Sequence, residues 1–135
     1  MLGTLINTAM ELLLDGDNQV LEILRNQLMS ARISIVENTG VGLFVGFEVP
    51  KNIVKVESGD IKKDFVFGDV YGEVSGIYGA IGFLIFVRDG YLKTLEIYSI
   101  GSEFWEQVTD DLHIGYKNEL RNIEELEKSW LELPV

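Results

Sequence analysis

Apolar residues at Leu5, Ile6, Ala9, Met10, Leu12 and Leu13 recur at helical spacing and predict a helix over 4–14. Gly16 suits its C-terminal cap, and Asp17 suits the N-cap of a second helix ending near Ser30. Val20, Leu21, Leu24 and Leu28 supply that helix's buried stripe. From Arg32 the period falls to two. Ile33 and Ile35 alternate with Arg32 and Ser34, and Asn38-Thr39-Gly40 supplies turn chemistry. The next strand places Val41, Leu43, Val45, Phe47 and Val49 on one face, and Gly42, Phe44, Gly46 and Glu48 on the other, until Pro50 ends it. Residues 51–63 are polar and read as a loop.

Phe65 and Phe67 open a further strand region, followed by glycines at 68, 72, 76, 79 and 82. Their irregular spacing argues for bends, bulges or close backbone approach rather than a repeat. Residues 82–98, GFLIFVRDGYLKTLEIY, hold two apolar runs around Asp89-Gly90, a strong hairpin signal because both residues tolerate positive φ. Leu112, Ile114 and Tyr116 suit a short last strand, and Leu120, Ile123, Leu126 and Trp130 fit a helix within Lys117–Leu131. The order predicts a single α+β domain, a mainly antiparallel sheet of about five strands with two N-terminal helices and a C-terminal helix. Its parts are a helical third (4–30), a sheet (32–98) and an acidic segment (103–135).

Charge narrows the range of partners. Eleven basic residues stand against 22 acidic ones, a net charge of −11, and Lys62-Lys63 is the only adjacent basic pair. A phosphate-binding patch needs clustered Lys and Arg, so nucleic acid and anionic membrane surfaces are poor partners, whereas a basic protein would be attracted. Apolar runs such as Phe83–Val87 are far shorter than a membrane span. The first residues place Glu11 and Asp15 by the apolar stretch with no basic residue ahead of it, which argues against a secretory signal and for a cytoplasmic protein. With no cysteine, thiol catalysis, disulfides and cysteine–zinc sites are excluded.

Candidate motifs give no chemistry of their own. Gly40-Val41-Gly42-Leu43-Phe44-Val45-Gly46 approaches a dinucleotide fingerprint, but its third glycine is one residue late and a strand follows where a helix is needed. No cofactor is expected. Asp15-Gly16-Asp17-Asn18 lacks the spacing and terminal Glu of a calcium loop, and helix capping explains it. His113 is the only histidine; it has Asp110 and Asp111 nearby but no nucleophile motif, so neither a catalytic residue nor a metal site is expected.

Glu96 is the most interesting carboxylate. A two-residue hairpin loop places it opposite Phe83, on the face of Ile85, Val87 and Leu92, whereas a three-residue loop bulged at Gly90 places it opposite Gly82. Beyond the hairpin, Tyr98, Glu103, Phe104, Trp105 and Glu106, with Asp110 and Asp111, mix large aromatics with acids, a combination that interfaces favour. Core closure by Phe104 and Trp105 is the competing reading.

Three stretches, 24–50, 65–70 and 82–105, together resemble a widespread family of small bacterial proteins without assigned function. The resemblance rests on Leu24, Arg25 and Gln27 at a helix end; on Thr39, Gly40, Gly42 and Leu43 at the start of a strand; and on the hairpin residues Gly82, Phe83, Phe86, Asp89, Gly90, Leu92, Leu95 and Glu96. Tyr98, Glu103 and Trp105 complete it. Leu43 replaces the family's usual aromatic, and the final residues extend past its pattern. The resemblance implies no activity. In size and charge alone the chain is similar to immunity proteins of bacterial toxin systems. The expectation is an acidic, non-catalytic protein-binding module. A small-molecule site or weak hydrolase near Glu96 and a self-associating structural domain are the alternatives.

Overall fold

The computed structural model describes residues 2–39, 42–74, 77–99, 113–117 and 120–131. Two helices come first, α1 (Leu2–Leu13) and α2 (Gln19–Ser30), then strands β1 (Arg32–Asn38), β2 (Gly42–Glu48), β3 (Phe65–Val74), β4 (Ile77–Arg88), β5 (Tyr91–Ser99) and β6 (His113–Tyr116), and last α3 (Ile123–Lys128). The strands form one antiparallel sheet in the order β1-β2-β5-β4-β3-β6, so the fold is α+β with no closed barrel. The predicted elements are present, with six strands rather than about five. No described helix is long and apolar enough to cross a membrane.

The alternation along the strands decides which face is buried. Leu43, Val45 and Phe47 of β2, Phe83, Ile85 and Val87 of β4, and Leu92, Leu95 and Ile97 of β5 join Ile6, Ala9, Met10, Leu13, Leu21 and Leu24 of the helices in one core. Trp130, fully buried after α3, packs against Phe65 in a tilted and Phe67 in an edge-to-face arrangement at ring distances of 5.6 and 5.2 Å.

Two helix boundaries differ from expectation. Asn18, not Asp17, caps α2: its side-chain oxygen accepts from the amides of Val20 and Leu21 at 2.9 and 3.1 Å. Gly16, at φ +130°, turns the chain so that the extended capping residue falls at Asn18. The last helix is shorter than predicted because Arg121 is drawn away to Asp69, and Asn122 then caps a helix that starts at Ile123. Leu120, expected in its apolar stripe, is 84% exposed.

Two polar junctions hold the helices to the sheet. Gln27 of α2 is fully buried, and it donates to the carbonyls of Val54 and Gly90 at 3.1 and 2.9 Å and accepts from the Leu92 amide at 2.7 Å. It thus ties α2 to the Asp89-Gly90 turn, whose φ values of 52° and 78° are those of a primed hairpin turn. At the end of α1, five successive carbonyls accept side-chain donors. Tyr116 reaches Leu12, Arg121 reaches Leu13 and Asp15, and Arg25 reaches Leu14 and Gly16. Helix ends leave such carbonyls without partners and carry partial negative charge, so two guanidinium groups suit the place.

Candidate functional site: the sheet face turned away from α1 and α2

Register decides where Glu96 lies. The hairpin closes with two residues, Arg88 opposite Tyr91 and Val87 opposite Leu92, but Lys93 is then an extra residue in β5 and Phe86 pairs with Thr94. This bulge places Glu96 opposite Leu84 and, across the other edge of β5, opposite Phe44. Both placements expected from the sequence, opposite Phe83 or Gly82, are therefore corrected. Glu96 does not share a face with Ile85, Val87 and Leu92, which are buried beneath the helices. It is half-buried on the other side, between Phe44 and Leu84.

The next row along this face has a regular composition. Across five strands the paired residues are Gly42, Tyr98, Gly82, Tyr71 and Gly115, a tyrosine between glycines at each step. Gly82 and Gly42 have a steric reason, whereas Gly115 faces open space. A Cβ at Gly82 would stand 2.1 Å from Tyr98 Cζ, so the Tyr98 ring lies flat over Gly82 in the space a side chain would fill. A Cβ at Gly42 would meet the Ile97 carbonyl at 2.2 Å. Lying over Gly82 brings the Tyr98 hydroxyl to Tyr71, with which it shares a hydrogen bond. Burial, with the nearby Tyr71 and Glu96 adding to it, raises the Tyr98 pKa above the usual tyrosine value.

On the opposite side of the Glu96 row, Gly46, Thr94, Phe86 and Val66 continue the face, and the Arg88 guanidinium lies 5.3 Å over the Phe86 ring. The surface thus combines two tyrosines, two phenylalanines, Leu84 and one carboxylate. It can offer flat apolar contact with hydroxyl and carboxylate acceptors at its centre, the composition that protein interfaces favour.

Of the predicted interaction residues, the structure brings Glu96 and Tyr98 onto this face. Glu103, Phe104, Trp105, Glu106, Asp110 and Asp111 lie outside the described residues. Sequence reasoning missed Tyr71, Phe44 and Leu84 as neighbours of Glu96; the available signal was the pairing of tyrosines with strand glycines, legible only once the register is known. A cleft adjoining this face, with which it shares Leu84 and Val66, is also lined by Asp69, Tyr116, Arg121 and Leu126. Its buried charges are already paired: Arg121 donates to both Asp69 oxygens at 2.8 and 3.0 Å. Among the described residues no three His, Cys, Asp or Glu side chains converge to hold a metal. Comparison with known protein families, characterised proteins and solved structures finds no match.

Proposed function

We propose that this chain is a non-catalytic protein-binding module whose working surface is the face built from Phe44, Tyr71, Leu84, Phe86, Glu96 and Tyr98. The observation that carries this reading is the row in which Tyr98 and Tyr71 alternate with glycines, the Tyr98 ring lying over Gly82. It gives a broad, rigid aromatic surface at low entropy cost, with a half-buried carboxylate beside it. The net charge of −11 supports a basic partner, steered in over distance and held by Glu96 at close range. Neutralisation of a basic toxin domain is the most concrete form of this reading, and a cytoplasmic location accompanies it.

The test is a photo-reactive phenylalanine analogue introduced at Phe44 or Phe86 in the native cell, with captured proteins identified by mass spectrometry. The expected result is a basic protein captured from both positions. Its capture falls by roughly tenfold or more in Glu96→Lys, the size expected when an attractive interfacial charge becomes a repulsive one. Capture that ignores the charge reversal, or recovers only acidic proteins, overturns the reading.

A further inference from the structure

Strand β1 ends the sheet, and its outer edge pairs with no described strand. Natural edge strands are usually kept short or armed with Lys or Pro against pairing with another chain. β1 is seven residues long, RISIVEN, with no Lys or Pro; its charges, Arg32 and Glu37, stand near its two ends around the bulge, and Ile33, Ile35 and Val36 between them are exposed at 50, 57 and 46%. What decides the occupant is the way its side chains are distributed between the two faces. Ile33 pairs with Phe47 and Val36 with Val45, so both lie on the helix side of the sheet. Arg32 pairs with Glu48 and Glu37 with Phe44, so both lie on the opposite side. Ser34 is the bulge residue. A Cβ at Gly46 would approach both Ser34 Oγ and Ile35 Cγ2, so these two neighbours share that opposite side as well.

The resulting pattern reads the same in both directions from a point between Ser34 and Ile35. Without the bulge, strict alternation would break this symmetry. We infer that β1 pairs antiparallel with β1 of a second copy of this chain about a two-fold axis at that point, continuing the sheet from one molecule into the next. In this register Ile33 faces Val36 of the second copy on the helix side, twice over. Arg32 faces Glu37 of the second copy on the other side, also twice. Arg32 already forms an ion pair with Glu48 across β2, so in the dimer its guanidinium stands between two carboxylates, Glu48 and Glu37 of the second copy. A slip of one residue either way sets Ile33 opposite Glu37 or Ile35, which belong to the other face, and loses both the apolar and the charge match. Because each copy has one such edge, the assembly closes at two.

The absence of cysteine makes the register directly testable by introduced thiols. Ile33→Cys and Val36→Cys variants are prepared separately, mixed, and oxidised with a copper catalyst. The expected product is a disulfide-linked heterodimer from the mixture, with each variant alone giving at least several-fold less. Sedimentation equilibrium of the unmodified chain from roughly 5 to 500 μM, the range suited to a small interface, should show monomer passing to dimer. Val36→Lys should remain monomeric throughout while keeping its circular dichroism and thermal midpoint, since the side chain is half exposed and its change leaves the core intact. A monomer at every concentration, open-ended polymers, or cross-linking as efficient in Ile33→Cys alone as in the mixture overturns the proposal.

Discussion

Gln27 is the most demanding single residue of the core. It is a fully buried amide whose donors and acceptor are used by Val54, Gly90 and Leu92. Gln27→Leu has the volume to fill the site but takes the partner from the Val54 carbonyl and the Leu92 amide, while the Gly90 carbonyl keeps the Val56 amide. We expect a loss of about 2–4 kcal/mol in denaturant unfolding, more than a surface glutamine would give. Gly82 makes a converse case, in which the absent side chain is what matters. Gly82→Ala sets a methyl where the Tyr98 ring lies, and the ring must lift from the sheet. The expected cost is about 1–3 kcal/mol. Spectrophotometric titration should show the Tyr98 hydroxyl moving back towards its ordinary value as it becomes more exposed. A Gly82→Ala protein with unchanged stability and an unchanged tyrosine titration would contradict the flat placement of the ring. The sequence made Gly82 a candidate for close backbone approach, but gave no hint that a tyrosine on the next strand was the approaching group. Gln27 follows Leu24 and Arg25 in a recognisable helix-end pattern, but its burial depends on contacts more than sixty residues away in the chain.

At the scale of elements, the end of α1 is held by Arg25, Tyr116 and Arg121, which come from α2, β6 and the segment before α3. Arg121 carries the most, since it also forms a mostly buried ion pair with Asp69 at the β3 bulge. Arg121→Met removes the cation and leaves Asp69 and two helix-end carbonyls without their donor. We expect about 3 kcal/mol of destabilisation. Asp69→Asn should cost less, because an amide oxygen still accepts, and a double-mutant cycle between the two should show strong coupling. Additive losses would mean that the two residues act independently. The elements themselves were largely legible: periodicity marked α1, α2 and the strands, and Asp89-Gly90 marked the hairpin but left its loop at two or three residues. The face of Glu96 was not. It depends on the bulge at Lys93, and nothing about a lysine in an alternating run distinguishes a bulged residue from a regular one. The length of α3 failed for a related reason, because an arginine with helical spacing on both sides was claimed instead by a distant carboxylate.

For the molecule as a whole, the pH profile follows from its tyrosines. Tyr98 and Tyr116 both have raised pKa values, burial being the leading cause in each. Tyrosine in the unfolded chain ionises near pH ~10, so above that point the unfolded state gives up protons that the folded state retains. Stability from these groups is therefore complete below about pH 10 and declines as pH rises through the folded values. Thermal midpoints should fall on the alkaline side, and Tyr98→Phe should make that fall shallower; an identical slope would remove Tyr98 from the account. The strand order has a consequence for how the protein is made. Val45 of β2 pairs with Leu95 of β5, so its inner neighbour is synthesised long after β2 itself. At ribosomal speeds of about 5–20 residues per second, the growing chain presents an apolar half-sheet to the cell for several seconds. During that interval α1, α2 and the β1–β2 ribbon have only one another to lean on, which makes this protein a natural client for whatever guards nascent chains at the exit tunnel.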